Sequence, residues 1–254
     1  MTDFLEKYRN VRDEKNSVLC IGLDPIPSEI REEETLHYCL DLVEKTSDYA
    51  AAFKPNSQFV LFNLHVRELR ELTRAIQSHG CISILDHKLS DIGSSNDAAV
   101  QQISASGFDA FTASPYPGNI KETSDLAHRE KLGAIILGLM SNSQAMWVQK
   151  DATLGGKPLY QKTAEEVRTS GADGLVIGTT GHVTAEDIRT ARVLAGSNVL
   201  FLCPGIGAQG GQVQKAIDNT GPNVLLNVGR AITSDSSPRK KAEEYMKTMN
   251  RYRK

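Results

Sequence analysis

Along the chain, short runs of apolar and β-branched residues alternate with longer stretches in which apolar positions recur every three or four residues. The short runs are "VLCIGLD", "YAAAFKP", "CISILDHK", "AFTASP", "GAIILGLMS", "GLVIGTT", "VLFLCPGI" and "VLLNVGRAI", which make eight strand candidates. Stretches between them, such as "SQFVLFNLHVRELRELTRAIQSHG", carry helical spacing and end in glycine, as helices between parallel strands do. Eight βα units in 254 residues predict an α/β fold, a (β/α)8 TIM barrel. An open doubly wound sheet would show fewer strands or a second domain. No Pro/Ser-rich linker or low-complexity block divides the chain, so residues 1–254 are expected to form one domain. Two segments stand outside the repeat. At the start, Phe4, Leu5, Tyr8 and Val11 fall on one face of a predicted helix that would cover the bottom of the core. After "GLMS", the segment 142–158, "NSQAMWVQKDATLGGKP", is a long connection of the kind that serves as a lid on a barrel's active face.

Composition narrows the classes of partner. A formal net charge of -2 and a pI near 6.3 provide no long-range field for nucleic acid or an anionic membrane. An anionic ligand must therefore be held by local charges, and a small molecule is the expected partner. The four cysteines, Cys20, Cys39, Cys81 and Cys203, show no CxxC spacing and read as buried free thiols of a reducing, cytoplasmic protein. The charged start lacks the continuous apolar segment of a signal peptide or membrane span, so neither export nor membrane insertion is expected. Six scattered histidines form no ligand pair at helical spacing, and no metal site is expected.

The candidate chemistry centres on "LDHKLSDIG", Leu85 to Gly93. In an extended strand Asp86 and Lys88 share one side, above Ile82 and Ile84, while His87 points away and reads as a satisfied histidine behind the strand. Asp91 follows where the chain turns, facing either the same site or another subunit. An Asp-x-Lys pair at a strand end can be a structural ion pair. Its company favours a site: Asp24, Lys54, Ser141 and Arg230 also stand at the C-terminal ends of predicted strands, where barrels keep their chemistry. Two carboxylates about 4 Å apart repel by about 4 kcal/mol at an effective dielectric near 20. Asp86 and Asp91 therefore call for Lys54 and Lys88 as counterions, and the set would disfavour a ligand carboxylate placed against the aspartates. A second feature lies on the other edge. "PGIGAQGG" from Pro204 and "NVGRAI" from Asn227 follow strands seven and eight, where barrels bind phosphate on backbone N–H groups, with Arg230 as a planar fork and Gln209 as a neutral donor.

"DHKLSDIGSSN" resembles the D-x-K-x-x-D-I-x-x-T-N signature of the orotidine 5′-monophosphate decarboxylase family. "GLDP" at Gly22, "FKPN" at Phe53, "GLMS" at Gly138, "PGIGAQGG" and "VGR" at Val228 extend the resemblance over nearly the whole chain. It implies a cofactor-free barrel that dimerises through its active face and converts orotidine 5′-monophosphate to UMP and carbon dioxide. By that resemblance Lys88 would protonate C6 of the pyrimidine, Asp86 would lie against the departing carboxylate, and Lys54 would bridge the aspartates and the ribose. Asp24 would hold a ribose hydroxyl, Asp91 would enter the partner subunit's site, and Ser141 would bind the pyrimidine. Gln209 and Arg230 would grip the phosphate, with Pro204 and Gly229 as further substrate contacts. Ser95 stands where the signature has threonine and keeps the hydroxyl. The sequence departs from the family pattern in "SNSQ" after "GLM" and in the insertion that follows, whose Trp147 is expected to pack within its own loop. Sugar-phosphate barrels with the same Asp-x-Lys-x-x-Asp core use magnesium and need an acid on the second strand. Lys54 stands there instead, a cation that would repel the metal. A binding protein without turnover is the other alternative, which the charged set argues against.

Overall fold

The structure, a computed structural model, describes residues 3–207 and 210–253. Eight parallel strands close into a barrel in chain order: Leu19–Leu23, Ala52–Pro55, Ile82–Leu89, Ala110–Ala113, Gly133–Leu139, Gly174–Ile177, Leu200–Cys203 and Val224–Val228. The eighth pairs with the first, Leu19 opposite Leu226 and Ile21 opposite Val228, so the barrel itself has no open edge. Every expected strand is present, and the (β/α)8 fold holds.

Each connecting helix turns an apolar stripe onto the outside of the barrel. In Val66–Ser78 the buried positions are Leu69, Leu72, Thr73 and Ile76, three and four residues apart. Helix Ala185–Ala195 opens with a reciprocal cap: Asp187 N–H donates to Thr184 Oγ1 at 3.1 Å, and Thr184 N–H donates back to Asp187 Oδ2 at 2.8 Å. One expected helix is shorter than its spacing suggests. "SQFVLFNLHVRELRELTRAIQSHG" forms a single turn, Ser57–Val60, then leaves helical geometry until Val66, and this break puts Phe62 83% exposed.

Inside the barrel, Cys20, Ala52, Ile82, Ile84, Ala110, Ile135, Leu200 and Leu225 fill the lower layers, and Val176 and Leu202 continue the cluster up to the open end. The N-terminal helix Asp3–Glu14 closes the bottom, as its pattern predicts, with Phe4, Leu5, Tyr8 and Val11 in the same cluster. The fit is tight: a Cβ on Gly133 would come within 2.4 Å of the Phe4 ring. Beneath the same end, Arg192 stacks 3.6 Å from the Phe201 ring and donates to the carbonyls of Thr220, Gly196, Val199 and Asn223. The lower end is thus sealed and stapled, and the open end is the C-terminal one. All four cysteines are free and buried. Among the described residues, no helix is long and apolar enough to cross a membrane.

Candidate active site

At the open end the interior changes from apolar to charged in one layer. Above Ile82 and Ile84 the third strand presents Asp86, whose two oxygens are fully engaged. Oδ2 accepts Lys54 Nζ at 2.5 Å, and Oδ1 accepts both Lys88 Nζ at 2.7 Å and Thr112 Oγ1 at 2.9 Å. Burial alone would push the Asp86 carboxyl upward, but the Lys54 and Lys88 ammoniums outweigh it and hold the group well below the usual carboxylate range. Burial works against the Lys54 charge, and Asp86, together with Cys20 and Asp24, more than offsets it, so Lys54 titrates above an ordinary lysine. The result is a fixed cation–anion–cation row, deep at Lys54 and more open at Lys88, whose side chain is 38% exposed.

The third strand is not regular where it carries this row. Leu85 pairs with Phe111 and Leu89 with Ala113, so four steps along one strand match two along the next. Within that bulge Lys88 adopts φ +54, a left-handed conformation that costs a non-glycine residue about 1–3 kcal/mol and persists only when its surroundings hold it. The fifth strand carries a smaller bulge, Leu137 opposite Val176 and Leu139 opposite Ile177. A Cβ on the intervening Gly138 would meet Leu175 at 2.8 Å, which explains the glycine.

A cavity of about 310 Å³ opens above the row, lined by Lys54, Asp86, Lys88, Thr112, Leu137, Met140, Ser141, Asn142, Val176, Leu202 and Pro204. One wall is charged and the other apolar, a combination suited to a flat ring that carries a charged substituent. Ser141 is wedged in place by the loop after the sixth strand, where a Cβ on Gly178 would approach its Cβ at 2.9 Å. Asp24, after the first strand, lies against Gly229, and its Oδ1 is buried without a hydrogen-bond partner among the described residues. Burial pushes its carboxyl upward, against the pull of Lys54. An orphaned acceptor at the rim is placed to take a ligand hydroxyl.

The sequence model of the orotidine 5'-phosphate decarboxylase / HUMPS family matches residues 17–245. The chain belongs to this family. The orotidine 5'-phosphate decarboxylase of Ralstonia pickettii is 35% identical over 248 residues, spanning 90% of this chain and 89% of that one. The enzyme of the same name from Cupriavidus metallidurans is 34% identical and covers 98% of both. Among solved structures, the Leishmania donovani UMP synthase superposes with a TM-score of 0.86 at 30% identity, covering 99% of this chain and 57% of that one. The Leishmania donovani OMP decarboxylase gives 0.84 at 28% identity, covering 96% and 98%.

The family signature divides in space. Asp86, Lys88 and Lys54 meet at the cavity floor, and Ser141 and Pro204 reach its wall. Asp91 and Ser95 do not join them within one chain: both are exposed, and Asp91 Oδ1 accepts the N–H of Ile92 at 2.8 Å. The four-membered charge network expected from sequence is therefore three-membered in a single subunit. Arg230 is exposed at the end of the eighth strand, on the edge of Gly229, near enough for its charge to act on Asp24. The Pro204 carbonyl accepts Thr179 Oγ1 at 3.1 Å, and Gly205, at φ +88, packs against Thr180. Gln209 lies outside the described residues.

Two sequence expectations are corrected. Trp147 does not pack in its loop but is 70% exposed. The insertion is held by other residues: Gln149 Oε1 accepts Met140 N–H at 2.7 Å, and Lys150 pairs with the capping Asp187 at 2.8 Å. Both anchors stand on a π-helical turn, Met146–Asp151, and a hairpin of Thr153–Leu154 with Lys157–Pro158 follows it, whose Gly155 and Gly156 both have positive φ. His87 does point behind the strand, but its Nδ1 is buried with no partner among the described residues. Burial, aided by Lys88, pushes its imidazole below the ordinary histidine range, so it is held neutral. The residue that sequence reading passed over is Thr112, a buried hydroxyl on the fourth strand whose only signal was its place in "AFTASP".

Proposed function

We propose that this chain decarboxylates orotidine 5′-monophosphate to UMP and carbon dioxide, the last step of de novo UMP synthesis, with residues 1–254 working as one barrel domain. The observation that carries the reading is the Lys54–Asp86–Lys88 row at the floor of a cavity with one apolar wall. A substrate carboxylate set against Asp86 meets a carboxylate that stays ionised. When the C6–carboxylate bond breaks, its electron pair remains on C6, and the Lys88 ammonium, held within reach by Asp86, stabilises that pair and delivers a proton to it. Charge that develops only in the transition state is where a fixed cation has its largest effect. Side chains alone carry this chemistry, and Lys54 Nζ, 2.5 Å from Asp86 Oδ2, fills the place a magnesium ligand would need.

The remaining contacts follow from the rim. Asp24, whose Oδ1 has no hydrogen-bond partner among the described residues, takes a ribose hydroxyl, and Ser141 takes the pyrimidine. Arg230, Gly229 and the Pro204 loop with Gln209 take the phosphate, whose binding energy orders the site. The enzyme works as a homodimer joined at its open face. Phe62, Ile92 and Tyr116, after the second, third and fourth strands, are 83%, 64% and 60% exposed, an apolar set that a second copy would cover. On that face Asp91 and Ser95 enter the partner's site. The four buried thiols suit a reducing cytoplasm.

Product analysis tests the reaction: orotidine 5′-monophosphate should yield UMP and carbon dioxide in equal amounts, and unchanged substrate would exclude it. Subunit mixing tests the shared site. Lys88→Ala and Asp91→Ala chains, each inert alone, should regain roughly a quarter of wild-type activity when mixed equally, since half of the dimers then hold one native site. Absence of any recovery, with hybrids formed, would confine Asp91 to its own subunit.

A further inference from the structure

We propose that Thr112 is a positioning residue that holds Asp86 and Lys88 in register through one hydroxyl, an inference that rests on the decarboxylase reading of this site. A threonine hydroxyl has one proton to give and lone pairs with which to accept. Here the proton goes to Asp86 Oδ1 at 2.9 Å, and a lone pair receives the backbone N–H of Lys88 at 2.9 Å. Thr112 is 1% exposed, so water does not substitute for either partner.

Both bonds fall where the strand ladder is broken. Between the Leu85–Phe111 and Leu89–Ala113 pairs, the third strand bulges away from the fourth, and Lys88 sits in that bulge at φ +54. A side-chain oxygen there does the work that a backbone carbonyl does in a regular ladder. It ties down the N–H of the left-handed residue and, through the same atom, fixes the plane of the carboxylate that grips Lys88 Nζ at 2.7 Å. Without it, the Lys88 backbone can relax toward negative φ, which re-aims the whole side chain, and Asp86 can rotate about its own axis. Small displacements of a reacting group are costly in rate even when binding is intact. Thr112 also lines the cavity, so it acts at the floor on which the substrate would lie.

The test compares Thr112→Val, which keeps the shape and loses the hydroxyl, with Thr112→Ser, which keeps the hydroxyl. Thr112→Ala serves as a second hydroxyl-free variant should valine disturb the fold. Each is assayed for kcat and KM with orotidine 5′-monophosphate, for UMP affinity by titration, and for thermal unfolding. The hydroxyl-free variants should lose about 10- to 100-fold in kcat while KM and UMP affinity stay within about 3-fold, and serine should recover most of the rate. Wild-type kcat in a hydroxyl-free variant would overturn the role, as would a serine variant as impaired as valine. A fall confined to KM would do the same. Should folded wild type itself fail to turn over the nucleotide, the decarboxylase reading falls and this role with it, an outcome distinct from active wild type with an indifferent valine variant.

Discussion

Replacing Asp86 by asparagine removes the one anion between two ammoniums while keeping the shape of the site. At 2.5 Å and an effective dielectric of about 20, the gross attraction between Asp86 and Lys54 is about 6–7 kcal/mol, partly cancelled by the cost of burying both charges. Removing one partner of such a buried pair destabilises by about 3–5 kcal/mol. Lys54 limits the loss by shedding its proton. At pH 7 a lysine that must be neutral to fold costs about 5 kcal/mol relative to its unfolded value near 10.4, and at pH 9 about 2 kcal/mol. The sign follows from proton counts. In the variant the unfolded chain binds more protons at Lys54 than the folded one, so stability rises with pH. In the wild type the folded Lys54 value is raised, and its contribution is fully present below the unfolded value and lost only as pH climbs through the folded one. Denaturant unfolding at fixed protein concentration should therefore show Asp86→Asn weaker by about 3–5 kcal/mol at pH 7, with the gap narrowing toward about 2 kcal/mol at pH 9. A deficit below about 1 kcal/mol at pH 7, or one that does not change with pH, would refute the claim that Asp86 is what keeps Lys54 charged in the fold.

Other changes separate binding from framework. Arg230→Gln should raise KM for the nucleotide by about 10- to 100-fold and leave the rate with phosphate-free orotidine unchanged; equal losses with both would remove Arg230 from the phosphate site. Gly133→Ala should cost about 1–3 kcal/mol of stability because its Cβ would strike the Phe4 ring, with KM unaffected, and an unchanged unfolding curve would mean that the N-terminal helix does not seal the barrel tightly. Lys150→Met should lower stability by about 1–3 kcal/mol by freeing the capping Asp187 and loosening the insertion, which limited proteolysis of segment 142–158 would report as faster cleavage.

The barrel was legible because its strands are short, apolar and β-branched, and because helical spacing resumes after each of them. The Asp86 and Lys88 pair was legible from side-chain alternation, and Lys54 from standing where a second strand ends. The bulge was not. A left-handed lysine leaves no mark in composition, and the two extra residues that create it are defined only against a neighbouring strand. Thr112 was hidden for the same reason, since its meaning depends on a partner 24 residues away. In the insertion, the adjacent Gly155 and Gly156 are a hairpin signal, but the strands they join are only two residues each, too short to show a period of their own. Alternation places His87 behind its strand, but the lack of a partner for its Nδ1 among the described residues is a property of surroundings that alternation cannot supply.

The most direct measurement follows ultraviolet absorbance as purified protein meets orotidine 5′-monophosphate in EDTA, beside Lys88→Ala prepared in the same way. The account predicts rapid conversion to UMP by the wild type and a loss of at least about a thousandfold in the variant, whose fold and UMP affinity remain. A folded wild type that leaves the substrate untouched, or a variant that converts it as fast, would contradict it.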